Sequence, residues 1–164
     1  MKKKFQRDIF IDEIYQRALN DKDIFFISAD FGAPALDNFR KNLPRQFIHS
    51  GISEQHMIDM AAGLSLAGKK VYVYAMAPFI TLRCLEQIKC SLAIMNLPVT
   101  ILAVGVGLGY ADAGPTHYSN EDIGSMKSLV GLDIFSASDE ITTKFIARQT
   151  FDNPKLRVIR LERD

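Results

Sequence analysis

A charge excess of one sign is what this chain most conspicuously lacks. Its 164 residues carry 20 Lys and Arg against 19 Asp and Glu, a net of +1. That balance leaves no concentrated basic face of the kind a nucleic-acid binder needs. The basic run at residues 1–4 is terminal and is expected to be a solvated tail. Phe5-Gln6-Arg7-Asp8 follows it where an apolar segment would be required, so it is not a secretory signal. No apolar run is long enough to span a bilayer. Cysteine is scarce too: Cys84 and Cys90 fall in one predicted helix. Six residues of helix separate them by about 9 Å along the axis, on different faces. A disulfide between them is excluded, a buried free thiol is the expectation, and the compartment implied is cytoplasmic.

Several catalytic and binding signatures are missing as well. There is no G-x-x-x-x-G-K-[ST] phosphate loop and no G-x-S-x-G nucleophile elbow. Gly105, Gly107 and Gly109 superficially suggest a dinucleotide loop, but the spacing is wrong and no helix starts directly after them. The three histidines, His49, His56 and His117, lack metal-ligand spacing and have no Cys/His cluster beside them. No metal site is expected within the chain.

What is present is an alternation of helical periods and continuous apolar runs. Helices are predicted over 5–19, 35–43, 54–67, 79–95, 121–130 and 139–152. Between them lie runs that suit strands buried on both faces, at 24–29, 47–50, 71–76, 98–104, 132–136 and 156–161. None of the connections has hairpin chemistry. The expectation is therefore one α/β domain over residues 1–164: a six-stranded parallel, doubly wound sheet with helices on both faces. Ligands of such sheets gather beyond the carboxyl ends of the strands. The residues delivered there are Asp30, Gly51 to Glu54, Ala77 to Phe79, and the 105–120 loop with His117.

The stretch from His49 to Gly68 organises these positions. It offers a hinge at Gly51, an N-cap at Ser53 and an acid, Glu54, in the first helical turn. Helix-start stabilisation is sufficient reason for such an acid. The helix behind it, however, is apolar nearly all round, which implies burial on more than one side. A carboxylate buried at its first turn is costly unless employed.

Three segments, GISEQHM at 51–57, the PF at 78–79 heading a helix, and AGPTH at 113–117, resemble the pyrimidine-binding domain of thiamine diphosphate enzymes. The nearest branch is transketolase together with 1-deoxyxylulose-5-phosphate synthase, and the likeness runs over essentially the whole chain. It implies that Glu54 hydrogen-bonds the ring nitrogen of the cofactor's aminopyrimidine and favours its imino form, which takes the proton from the thiazolium carbon. A carboxyl that shares a proton near neutral pH needs a dry setting. The resemblance further implies that Phe79 stacks on the aminopyrimidine and that His117 contacts substrate oxygens and assists proton transfer. Asp30 would lie near the thiazolium or the substrate, although a turn cap explains it equally well. Met76 and Arg83 would flank the cofactor, Arg83 sharing a face with Phe79 or pointing to solvent.

The acidic G-D-G motif that binds the diphosphate through Mg²⁺ in this family is absent from the chain. A companion chain or domain is therefore expected to supply it, the chain being either a split subunit or part of a longer one. The activity implied is transfer of a two-carbon ketol unit between sugar phosphates. A 1-deoxyxylulose-5-phosphate synthase-like or 2-oxoacid dehydrogenase-like subunit is an alternative, as is a non-catalytic assembly module with the same fold. The apolar 54–67 helix also leads one to expect a homodimer or heteromer.

Overall fold

Valines, isoleucines and aromatics in continuous runs build the sheet. A computed structural model describes residues 5–30 and 32–163, so the basic run at 1–4 and Phe31 lie outside the described residues. The strands are β1 (Ile24–Ser28), β2 (Phe47–His49), β3 (Lys70–Met76), β4 (Val99–Val104), β5 (Asp133–Ser136) and β6 (Arg157–Leu161). They form one six-stranded sheet in the order β2-β1-β3-β4-β6-β5, and every neighbouring pair is parallel. Alternate residues of each run face opposite layers, as a pleat of period two requires. Val71, Val73 and Ala75 join one core with Ile101 and Ala103, while Tyr72 and Tyr74 join the other with Leu102 and Val104.

Helices cover both faces. α1 (Gln6–Ala18), α2 (Asp37–Asn42) and α7 (Glu140–Asp152) supply Phe10, Ile14, Phe39 and Ala147 to one core. The other core takes Met57, Ile58 and Ala61 from α3 (Glu54–Leu66), together with the segment after β3 and Met126 of α6 (Asp122–Lys127). The doubly wound reading of the sequence therefore holds. The strand order reverses between β1 and β3, and their carboxyl ends open the crevice where such sheets take ligands. Among the described residues no helix is long and apolar enough to cross a membrane.

Four local expectations need correction. Ser53 precedes α3 but does not cap it: its hydroxyl donates to the Ser50 carbonyl at 2.6 Å and so leaves the helix amides alone. α3 is not buried all round; Glu54, Met57, Ile58, Ala61 and Ala62 are buried, whereas Gln55, His56, Asp59 and Leu66 are exposed. The predicted 79–95 helix breaks into α4 (Ala77–Ile80), α5 (Leu85–Gln87) and a π-helical segment, Ile88–Ala93. Consequently Cys84 and Cys90 do not share a regular helix, and only Cys84 is buried. Other boundaries fall within a residue or two of expectation, except that α6 stops at Lys127, three residues short of the expected 130. α3 ends in a Schellman pattern, with the Lys69 and Gly68 amides donating to the Leu64 and Ser65 carbonyls at 3.0 Å each.

Candidate functional site

Glu54 opens α3 directly beyond the carboxyl end of β2, and its side chain is only 4% exposed. Packing of the Met57, Ile58 and Ala61 stripe against the sheet draws the helix start inward, so the carboxylate enters a mostly apolar setting. It is not left alone there. Arg83 Nη1 donates to Glu54 Oε2 at 2.8 Å. Arg83 belongs to the turn between α4 and α5, where Gln55 Nε2 donates to the Arg83 carbonyl at 3.1 Å and ties that turn to α3.

Phe79 stands on α4, which starts immediately after β3 with Pro78 at a position that needs no N–H. One face of its ring is covered by Arg83, whose guanidinium carbon lies 4.2 Å from the ring centroid. His117 meets the same ring edge-on, with centroids 5.1 Å apart and planes at 70°. The imidazole is half-buried and is oriented by Thr116, whose Oγ1 is 3.0 Å from His117 Nδ1. Four residues chosen from the sequence, Glu54, Phe79, Arg83 and His117, thus form one continuous run of contacts.

That run extends further, through residues that carried no signal in the sequence. Tyr110 lies beside His117, at 6.4 Å between centroids. Arg163 covers Tyr110, with its guanidinium carbon 4.7 Å from that ring, and pairs with Asp112 at 2.8 Å. The glycine-rich loop is what folds these together. A Cβ on Gly105, where φ is +75°, would meet the Tyr110 ring at 2.0 Å, and one on Gly109 would meet the Gly105 backbone at 2.8 Å. The glycines let the loop double back on itself, with Gly107 bridging Ser119. A groove of about 430 Å³ runs along Val106, Gly107, Gly109, Arg160 and Arg163. A larger one of about 650 Å³, lined by Glu13, Arg17, Asp21 and Arg148, lies at the amino ends of the strands, away from this cluster.

Met76 and Asp30 sit at the same end of the sheet but outside the run of contacts. Met76 is the half-buried last residue of β3. The Asp30 carboxylate accepts the Gly32 amide at 2.8 Å, which is the turn-cap alternative. It also stands near Tyr74, whose phenol is pushed well up by burial first and by the Asp30 charge second. His56 is exposed, and His49 Nδ1 accepts the Gly51 amide at 2.9 Å, which suits structural or rim roles. Among the described residues no group of three His, Cys, Asp or Glu is placed to hold a metal.

The side chains fit an aminopyrimidine: a dry carboxyl able to share a proton with a ring nitrogen, and beside it a flat aromatic face. They do not suit a diphosphate–metal complex. Among the described residues the cations of the cluster are already engaged, Arg83 with Glu54 and Arg163 with Asp112.

Residues 5–164 match the family described as "Transketolase, pyrimidine binding domain". A subunit of the apulose-4-phosphate transketolase of Phocaeicola vulgatus is 37% identical over 158 residues, which cover 96% of this chain and 51% of that protein. A putative transketolase C-terminal section of Methanocaldococcus jannaschii is 31% identical over 128 residues, 77% of this chain and 40% of that one. Among solved structures, a split-gene transketolase described as an inactive beta4 tetramer superposes with a TM-score of 0.86 at 26% identity. The match covers 99% of this chain and 52% of that one. The chain spans about half or less of the length of these relatives.

Proposed function

Since the chain belongs to the transketolase pyrimidine-binding domain family, we propose that it supplies the pyrimidine half of a thiamine diphosphate site. The enzyme is of transketolase type and moves a two-carbon ketol unit between sugar phosphates. A companion chain or domain holds the diphosphate and its Mg²⁺, because the donor set here suits neither. The observation that carries this reading is the carboxylate of Glu54, 4% exposed at the carboxyl edge of the sheet and in line with Phe79 and His117.

When bound, thiamine diphosphate supplies the carbon nucleophile for the transfer. The residues of this chain do the rest. The Glu54 carboxyl would share a proton with the aminopyrimidine ring nitrogen, which brings a lone pair and no hydrogen of its own, and so favour the imino form; dry surroundings strengthen that bond relative to water. Phe79 offers its face to the heterocycle and excludes water from one side. His117, held by Thr116 and wedged against Phe79, is placed to exchange a proton with substrate oxygens. Asp30, just past β1, and Met76, the last residue of β3, stand at the same edge of the sheet.

The match to a split-gene transketolase supports a companion chain, as does the absence of G-D-G from the sequence. Exposed apolar side chains support an assembly: Ile52, Leu66 and Ile94 are 74%, 62% and 70% exposed. Mixing the chain with a companion that carries G-D-G should give a heteromer by light scattering and ketol transfer in solution. Glu54→Ala should leave the heteromer and its circular dichroism unchanged while lowering turnover by about 100-fold or more, the usual scale for a lost acid–base group. Undiminished turnover would refute the role of Glu54.

A further inference from the structure

We propose that Arg83 holds the aminopyrimidine's place while the cofactor is away, and must swing out before the cofactor can load. The proposal rests on the functional reading above, because it concerns the same cleft. Two independent contacts carry it: the 2.8 Å bond from Arg83 Nη1 to Glu54 Oε2, and the 4.2 Å stack of the guanidinium on Phe79. These are the two surfaces the heterocycle itself would use. A guanidinium is flat, carries N–H donors along its edge and has weakly hydrated faces, so it satisfies a carboxylate and an aromatic face at once. An aminopyrimidine, whose ring nitrogen would share a proton of the Glu54 carboxyl, needs the same carboxyl and the same ring face, so the two planar groups compete for one place.

The arrangement also answers a stability requirement. A carboxylate that is 4% exposed cannot be left without a partner when no cofactor is present. Arg83 meets that need from a side chain that is itself 43% exposed, so its departure returns it to water at little cost. Its backbone stays fixed meanwhile through the Gln55 bond to its carbonyl. Loading is then an exchange of one planar group for another at the same carboxyl, and Glu54 is never unpaired.

The test is titration of the full chain with 4-amino-5-hydroxymethyl-2-methylpyrimidine, followed by ligand-observed NMR up to millimolar concentration. Titrated above the pKa of its ring nitrogen, this fragment is neutral, so a changed charge at position 83 does not alter its affinity through long-range repulsion. Arg83→Ala should bind it about tenfold more tightly than the wild type, the scale of releasing one half-exposed ion pair and one cation–π contact. Arg83→Lys, which keeps the charge and loses the flat stack, should fall between. Adding Glu54→Ala to Arg83→Ala should remove the gain. Equal or weaker binding by Arg83→Ala, with Glu54→Ala still weakening it, overturns the placeholder and leaves the role of Glu54 standing. No binding by any variant, or binding indifferent to Glu54→Ala, overturns the functional reading and the placeholder together. Circular dichroism of each variant confirms that it is folded; if Arg83→Ala is not, the Arg83→Lys comparison decides.

Discussion

Cys84 lies directly behind the proposed stacking residue, its Sγ donating to the Phe79 carbonyl at 3.2 Å. Burial pushes its thiol up to about 12, and the nearby Glu54 charge pushes in the same direction. A thiol so raised has almost no thiolate near neutral pH and does not react. Cys90 is exposed on the π-helical segment. A maleimide should therefore label one thiol per chain under native conditions, Cys90, and the second only after denaturation. Native labelling of Cys84 would mean that the floor of the site is open. Glu54 and Phe79 were legible as residues because each sits in a short motif just past the end of a strand, and His117 because it lies in the glycine-rich loop after β4. The partnership of Glu54 with Arg83 was not, because it joins positions 29 apart through space. Nor did Tyr110 or Arg163 announce themselves; only the loop's doubling back brings them to His117.

At the scale of the element, α7 shows sequence and geometry agreeing most closely. Asp139 accepts the Thr142 amide at 2.7 Å and the Thr142 hydroxyl at 2.9 Å, and Thr142 reciprocates to the Asp139 amide, a capping box. Those bonds, the amide foremost, hold the Asp139 carboxyl below its ordinary value of 3.8. Because the folded value is depressed, the contribution is whole above 3.8 and is lost as pH falls through the folded value. Asp139→Ala should lower the thermal midpoint at pH 7, and the gap to the wild type should close on acidification below the ordinary carboxylate value. A gap that persisted unchanged into strong acid would show that the cap does not depend on the charge. The strands were equally legible, since burial on both faces demands uninterrupted apolar runs. Ser53 misled because a hydroxyl can serve the Ser50 carbonyl as readily as a helix amide. The 79–95 stretch misled because its apolar spacing does not distinguish α from π winding; Ile88 and Leu92 are buried in either.

For the whole molecule, the sheet does for the site what no local motif does. Strand order β2-β1-β3 brings the ends of β2, β1 and β3 side by side, so Glu54, Asp30 and Phe79 share one edge although they are far apart in sequence. The glycine-rich loop after β4 then folds His117 against Phe79 from the other side. The result is half a cleft: a carboxylate, an aromatic face and an imidazole, with the neighbouring cations already paired to acids. That incompleteness agrees with the chain's span of about half of its P. vulgatus relative. The central claim is that Glu54 governs proton loss from the cofactor's thiazolium carbon, and hydrogen–deuterium exchange at that carbon measures it directly. In the assembly of this chain with its companion, loaded with thiamine diphosphate and without substrate, the wild type should exchange rapidly. Glu54→Gln should slow the exchange by about 100-fold or more, whereas an exchange rate equal to the wild type's would contradict the account.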